Sequence, residues 1–503
     1  MGSQSGSSST NNLSSENEKG LGQTRHEDLD DPDAGLSDAE RAAIDKKLLR
    51  KLDMKLIPWL TLLYLVSFLD RTNIGNAKID GLIPDLKMTD GQYSASLSIF
   101  FVSYALFEPL TNVLLKRLKP SVFIPAIMLA WGVVMTLMGI VYNFEGLAAA
   151  RFFLGVAEAG LFPGVNYYLS CWYKRSEIGK RSAIFFSAAA LAGSFGGLLA
   201  AAIAKMTGIG GLKGWQWIFI LEGLATVIIG IVSFWMVHDF PDDAKFLSKE
   251  DRYRVIRRLR QDKQSSAEHE DFKMAYFWAS VKDWKTYAFA LIYTGAVMPL
   301  YAFSLFIPSI IKALGYTSTT ANLLSVPPYA VAAVVTITVG FLADKARHRG
   351  SFNIGISIIG IVGFAMLLGS RNAQIQYAGT FLGAVGIFPC ISNIISWAAN
   401  NTEGVYKRGV TLGFVIGFGN LNGVVASNIY LAREATTGYT TGHAVILGYM
   451  CGLLCIGSII THFALAAENR KRLAGKRDDR LVGKSSSEVE LLGDRRPDFV
   501  YTT

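Results

Sequence analysis

Charge is what this chain has least of. Asp, Glu, Lys and Arg make up 18% of its 503 residues, where a soluble domain carries roughly 25%. The deficit is uneven. The two ends and one central stretch hold most of the charge, and between them lie runs of about 20 apolar residues, long enough to cross a hydrocarbon layer ~30 Å thick. Cysteine is also scarce. Cys171, Cys390, Cys451 and Cys455 lie in or beside apolar runs. None has metal-ligand spacing with His, so they read as small packing residues, not as a metal site or a disulfide framework. Residues 1–45 lack an early apolar region, so no signal peptide is expected and the first span would act as its own insertion signal. Strand alternation is missing, which excludes an outer-membrane barrel. A backbone inside a bilayer must bond to itself, and helices do that. A cofactor loop, a metal cluster and a catalytic triad are likewise missing, so neither an enzyme nor a bound cofactor is expected.

What is present is a periodic series of apolar runs. Spans are predicted near 55–76, 92–115, 121–142, 146–172, 181–205, 216–237, 286–312, 320–343, 352–370, 374–398, 408–432 and 443–466. The chain therefore reads as an all-α membrane protein of twelve helices in two six-helix bundles, 46–237 and 286–468. Between them lies a central loop, 238–285, and outside them two disordered tails, 1–45 and 469–503. The net charge of +9 does not point to nucleic acid, because Lys and Arg cluster at helix ends. Lys116, Arg117 and Lys119 follow span 2, Lys174, Arg175, Lys180 and Arg181 follow span 4, Lys345, Arg347 and Arg349 follow span 8, and Lys407 and Arg408 follow span 10. Loops after odd spans carry less: Glu145 alone after span 3, Arg371 after span 9, Arg433 after span 11. By the positive-inside rule the even loops and both termini are expected in the cytoplasm. The sequon Asn400-Asn401-Thr402 then falls inside. Ser248-Lys249-Glu250-Asp251 followed by five arginines up to Arg260 reads as a capped basic helix, a solvated connector between bundles.

Charges within the spans are costly, at least ~2.5–3.5 kcal/mol each, so each is a functional suspect. Asp70 and Arg71 follow some fifteen mostly apolar residues of span 1, and Ile74 and Ala77 let the helix continue past them. Span 4 carries Arg151 and Glu158, seven residues apart and so on one helix face. Gly155, Ala157, Ala159 and Gly160 flank Glu158 and allow close helix contact. Two carboxylates and two arginines make a neutral set. A carboxylate balanced between desolvation and a nearby guanidinium can bind and release a proton, and a guanidinium so freed can take an organic anion through its planar fork. Asp70 and Glu158 are the expected proton-coupling groups and Arg151 their charge partner. Asn420 and Asn422 in span 11 could hydrogen-bond substrate or tie helices together. Asn393, near Pro389 at a bend of span 10 beside a cavity, is a further expected substrate contact.

Six and six spans about a central loop resemble the major facilitator superfamily. The run Gly340-Phe-Leu-Ala-Asp344-Lys345-Ala-Arg347-His-Arg349-Gly350 looks like that family's cytoplasmic loop motif. The resemblance implies a gate at Asp344, Lys345 and Arg349. The first-half copy, Glu108-Pro109-Leu-Thr-Asn112 to Lys119, lacks the usual Asp-Arg pair. Phe68-Leu-Asp70-Arg71-Thr-Asn73-Ile-Gly75, Arg151 to Gly164 and Trp215-Gln216-Trp217-Ile-Phe-Ile-Leu-Glu222-Gly223 resemble the anion:cation symporter family, with the fungal allantoate and nicotinate permease branch most similar. What the resemblance implies is proton-coupled uptake of a small organic anion, with Arg71 holding its carboxylate, by a monomer in the plasma membrane. Nicotinate or a related monocarboxylate is the first expectation. Allantoate, another ureide, pantothenate, or export of an acidic metabolite are the alternatives.

Overall fold

The computed structural model describes residues 32–33, 35–261, 274–483 and 492–503. Among them there is no strand. Twelve helices are long and apolar enough to cross a membrane. In chain order, spans 1 to 6 are Asp38–Ile79, Asp90–Thr111, Pro120–Met138, Phe144–Ser170, Glu177–Met206 and Gly214–Met236. Spans 7 to 12 are Trp284–Ala313, Ser318–Ala346, Arg349–Gly369, Ala373–Asn400, Lys407–Asn428 and Thr440–Leu473. Their ends match the predicted apolar runs closely, except that span 1 starts and span 12 ends further out.

Most span starts carry a polar cap that satisfies otherwise orphaned backbone N–H groups. Thr89 accepts from the Gln92 N–H (3.2 Å) while Gln92 Oε1 accepts from the Thr89 N–H (2.9 Å), a reciprocal box opening span 2. Asn143 opens span 4, Thr317 span 8 and Asn372 span 10 in the simpler one-bond form. Two spans are broken in mid-course. Helical pairing in span 4 pauses at Ala159 and Gly160, directly after Glu158. Pro163 explains it, since it has no N–H to return to the Ala159 carbonyl. Span 11 pauses at Asn422, two residues after Asn420. Span 7 is buried almost throughout, so it runs through the protein interior.

Spans 5 and 8 lie against each other along much of their length through residues with little or no side chain. A methyl group on Gly197 would meet the Asn322 carbonyl and Ser325, and one on Gly340 would meet Ala183. Ser194 Oγ donates to the Val326 carbonyl across the same seam, at 2.9 Å.

Residues 32–46 belong to a small unit of their own. Within it the Ser37 hydroxyl accepts from the Glu40 N–H and the Glu40 carboxylate accepts from the Ser37 N–H, so helix already begins at Asp38, inside the stretch expected to be a disordered tail.

The other two polar segments also differ from expectation. The connector helix Lys249–Gln261 is capped by Ser248, as its sequence predicts, but it is docked, not solvated. Val255 and Leu259 are buried, Asp251 takes the Lys51 ammonium at 2.8 Å, and Arg258 pairs with Glu177 at the start of span 5. The part of the predicted central loop between 262 and 273 lies outside the described residues. At the other end, span 12 runs on to Leu473, and residues 492–503 are strapped across the ends of spans 7, 10 and 12. Asp494 is fully buried between Lys285 and Lys407 (2.6 Å to the latter), and Lys407 also holds Asp283 at 2.7 Å. Arg472 donates to the carbonyls of Asp494, Arg496 and Phe499. Asn401 accepts from the Thr502 N–H and donates to its carbonyl, both at 2.9 Å. Apolar pattern alone could not reveal this, because the strap is held by ion pairs and backbone carbonyls.

Asp494→Ala leaves two buried ammonium groups sharing Asp283. Breaking one member of such a cluster costs about 3–5 kcal/mol. Hydrogen–deuterium exchange at Tyr501 and Thr502 is expected to accelerate on the order of 100-fold, the equivalent of about 3 kcal/mol. Unchanged exchange means that the strap is held elsewhere.

Candidate functional site

Span 1 continues as unbroken helix through Asp70 and Arg71, and both side chains are buried (0% and 4% exposed). Consecutive helical residues point about 100° apart, so the two reach different neighbours. Asp70 turns towards spans 3 and 6. Its Oδ2 accepts from Thr226 Oγ1 at 2.7 Å and from Trp131 Nε1 at 3.2 Å, while Oδ1 has no hydrogen-bond partner. Arg71 turns towards spans 4 and 7. Its Nε (3.0 Å) and Nη2 (2.8 Å) both donate to Oε2 of Glu158, and its Nη1 donates to the Tyr301 hydroxyl at 3.2 Å.

The same guanidinium sits among aromatic rings, 5.3 Å from the centroid of Phe100, 4.9 Å from Tyr104 and 5.8 Å from Tyr301. Ring faces attract a cation within about 6 Å, and more strongly when water is excluded. Arg71 is thus held by one carboxylate oxygen and three rings, and Glu158 keeps its Oε1 without a hydrogen bond. Arg151, 1% exposed, lies 6.0 Å from the Phe100 centroid, acts electrostatically on both Asp70 and Glu158, and has no hydrogen-bond partner at Nε or Nη2. The four charges read from the sequence do converge in the interior.

From Tyr301 the polar chain continues into span 11 and back to span 2. The Tyr301 hydroxyl donates to Asn420 Oδ1 at 2.8 Å, and Asn420 Nδ2 donates to Glu108 Oε2 at 3.0 Å. Sequence reasoning missed Glu108, which it treated as part of a degraded loop motif. It is 2% exposed and lies in the later part of span 2, whose helix runs on to Arg117. A second acid also went unweighed: Glu222 in span 6, 5% exposed, has no hydrogen-bond partner at either carboxylate oxygen. The signal was available in both cases, an acid within an apolar helix, but each acid sits in a run that resembles a family motif.

The other expected asparagines lie elsewhere. Asn422 donates to the Phe418 carbonyl and accepts from the Tyr449 hydroxyl at 3.4 Å, on the side of span 11 turned to span 12. Asn393 is bound to the gate residues. It donates to the Arg349 carbonyl (2.8 Å) and accepts from Arg349 Nη1 (3.2 Å). Arg349 in turn pairs with Asp344, and Gly179 at the start of span 5 packs against both side chains. Lys345 is exposed. Asn393 therefore belongs with the lock between spans 5, 8 and 9, away from Arg71.

Asp70 depends on two donors from neighbouring helices, and the hydroxyl of Thr226 is the shorter bond. Thr226→Val removes that donor without changing volume. The loss of a hydrogen bond to a charged group is worth about 1.5–3 kcal/mol. A lowered thermal unfolding midpoint of the detergent-purified protein is expected, and an unchanged midpoint would show that Trp131 suffices.

Comparison with known proteins places this geometry in context. The chain is 36% identical over 441 residues to the MFS transporter prlL of a fungal species (strain NRRL 50135), covering 85% of this chain and 88% of that one. It is 31% identical over 460 residues to the high-affinity nicotinic acid transporter of Saccharomyces cerevisiae, covering 91% of this chain and 85% of the other. Among solved structures it is similar to a bacterial homologue of the human lysosomal transporter Spinster in an inward-facing, unoccupied conformation. That likeness has a TM-score of 0.62 at 14% identity, over 85% of this chain and 97% of that one. The sequence profile of the Major Facilitator Superfamily matches residues 60–427. With twelve apolar helices, a buried charge cluster and this match, the chain belongs to the Major Facilitator Superfamily.

Proposed function

We propose that this membrane transporter takes up a small aromatic monocarboxylate together with protons, with nicotinate as the first candidate. The observation that carries the reading is the environment of Arg71. A guanidinium buried in a membrane interior, paired through one carboxylate oxygen and walled by three rings, offers what a flat carboxylate needs. The planar fork matches the carboxylate, and the rings match an aromatic body. The nicotinic acid transporter of Saccharomyces cerevisiae among the relatives supports the same direction.

The mechanism follows from competition. An arriving carboxylate and Glu158 both seek Arg71. If the substrate displaces Glu158, that carboxylate loses its counter-charge in a buried site and takes up a proton in preference to standing unpaired. Arg151 and Asp70 limit the field around this exchange, and rocking of the two halves about the central site then carries anion and proton together. The bond between Asn420 and Tyr301 supports Asn420 as a second substrate contact, whereas Asn393 acts through the Asp344–Arg349 lock. The basic loops support a cytoplasmic side for that lock and both termini, and a role in uptake fits the plasma membrane.

Two outcomes test the reading with labelled nicotinate. Collapsing the proton gradient with a protonophore is expected to abolish accumulation in cells. Accumulation that persists and follows Na⁺ instead would refute proton coupling. Arg71→Ala is expected to lose nicotinate binding, and Arg71→Lys to recover little, because a lysine keeps the charge without the fork. Normal apparent affinity in either variant would remove Arg71 from the binding site.

A further inference from the structure

Four acids and two arginines are buried together in the interior spans just described: Asp70, Glu108, Glu158 and Glu222 against Arg71 and Arg151. If all six were ionised the cluster would carry a charge of −2, four negatives against two positives. An uncompensated buried charge is too costly to persist, and the group neutralises itself by binding a proton. Contacts decide which two acids do so. Glu158 is ion-paired with Arg71, and Asp70 has two donors and the field of Arg151. Glu222 has no hydrogen bond at either carboxylate oxygen, and Glu108 has only the neutral amide of Asn420 at Oε2, its Oε1 being bare.

These two acids differ in where they stand. Glu222 is surrounded by the first six spans: Thr226 on its own helix bonds to Asp70 of span 1, and Gly223 beside it packs on Thr136 of span 3. Glu108 belongs to the first six spans but its one partner, Asn420, belongs to the last six. It terminates a chain in which every member donates to the next, from Arg71 Nη1 through the Tyr301 hydroxyl and the Asn420 amide to Glu108 Oε2. The titratable and charged groups that act on it are Arg71 from span 1, Tyr104 on its own helix, and Tyr293 and Tyr301 from span 7. Only the arginine is a cation, and its charge is already taken by Glu158.

We propose that Glu108 holds a proton while the two halves are joined through Asn420, and that this proton is carried across with the substrate. When the halves part, Glu108 loses its amide partner and meets water, where a carboxyl ionises. Its proton leaves the Oε1 oxygen for water on the inner side, and the carboxylate takes up its next proton only after the protein has reopened to the outer side. Glu222, buried behind Asp70 with no seam beside it, keeps its proton throughout. The proposal rests on the proton-coupled reading above, but it names a different acid from Asp70 and Glu158.

Infrared difference spectra of the purified protein in lipid nanodiscs read protonated carboxyl groups directly, without substrate. At neutral pH, Glu108→Gln is expected to delete one protonated-carboxyl band, Glu222→Gln another, and Glu158→Gln none. A spectrum of Glu108→Gln with the same bands as wild type overturns the proposal, whatever the substrate proves to be. In proteoliposomes with a trapped pH dye, nicotinate-driven proton entry is expected in the wild type and lost in Glu108→Gln, with nicotinate counterflow retained. Proton entry that survives in Glu108→Gln also overturns it. If the band is lost but wild type moves no protons with nicotinate, the transport reading falls and the coupling role falls with it, while the protonated state of Glu108 stands. Should Glu108→Gln fail to fold, Asn420→Ala takes its place, since removal of the amide partner is expected to leave the Glu108 band present but shifted.

Discussion

A charge buried where water cannot follow must find an opposite charge or lose its own, and the interior of this protein is organised around that requirement. Arg71 and Glu158 meet it for each other, side-on through one oxygen, with rings closing the remaining faces of the guanidinium. Span 1 has to remain helical past Asp70 for the pair to form. Span 4 offers small residues around Glu158, and there Gly155 packs against span 2 and Gly160 against spans 2 and 3. The Asp70 contacts with Thr226 and Trp131 are the same requirement met by dipoles in place of a cation. Neutral donors can support a carboxylate, but less strongly than a guanidinium, and this graded support is what sets the acids apart.

Much of this was legible in the amino-acid order. Hydropathy located the spans because apolar length is a local property, and the charge cluster was legible because Asp70, Arg71, Arg151 and Glu158 interrupt otherwise apolar helices. What sequence could not supply was the partner of each group. Asn393, Asn420 and Asn422 look alike in the chain, yet one joins a salt bridge at a helix end, one bridges the two halves, and one faces span 12. Asn420 and Asn422 point about 200° apart on one helix and Asn393 lies on another, and which neighbour each side chain meets is not encoded by hydropathy. Glu108 was hidden differently. Its surroundings resembled a loop motif, and that likeness outweighed the plain fact of an acid within an apolar helix.

The polar segments were the least legible part. Low hydrophobicity and high charge are the signature of a chain that cannot bury enough apolar surface to order itself, and the tail from 469 on reads that way as a whole, although residues 492–503 carry Phe499 and Tyr501 and balanced charges. They are ordered by electrostatics instead, through Asp494 between two lysines and through Arg472 gathering three carbonyls. The connector helix is half-way between these cases, with Val255 and Leu259 buried and Arg258 paired with Glu177. Both segments grip the same basic end of the molecule, so each half has its own clasp outside the spans.

The seam between spans 5 and 8 has a consequence for how such a protein diversifies. Gly193, Gly197 and Gly340 let span 5 and span 8 approach closely, with the Tyr329 ring seated over Gly193, so what the seam demands of its sequence is small residues facing a few fixed partners. The groups around Arg71 make a separate demand, for shape and charge. Substitutions that retune the interior for a different cargo therefore leave the bearing surface untouched. Lineages can change what is carried through mutations at one set of positions while selection holds the other fixed.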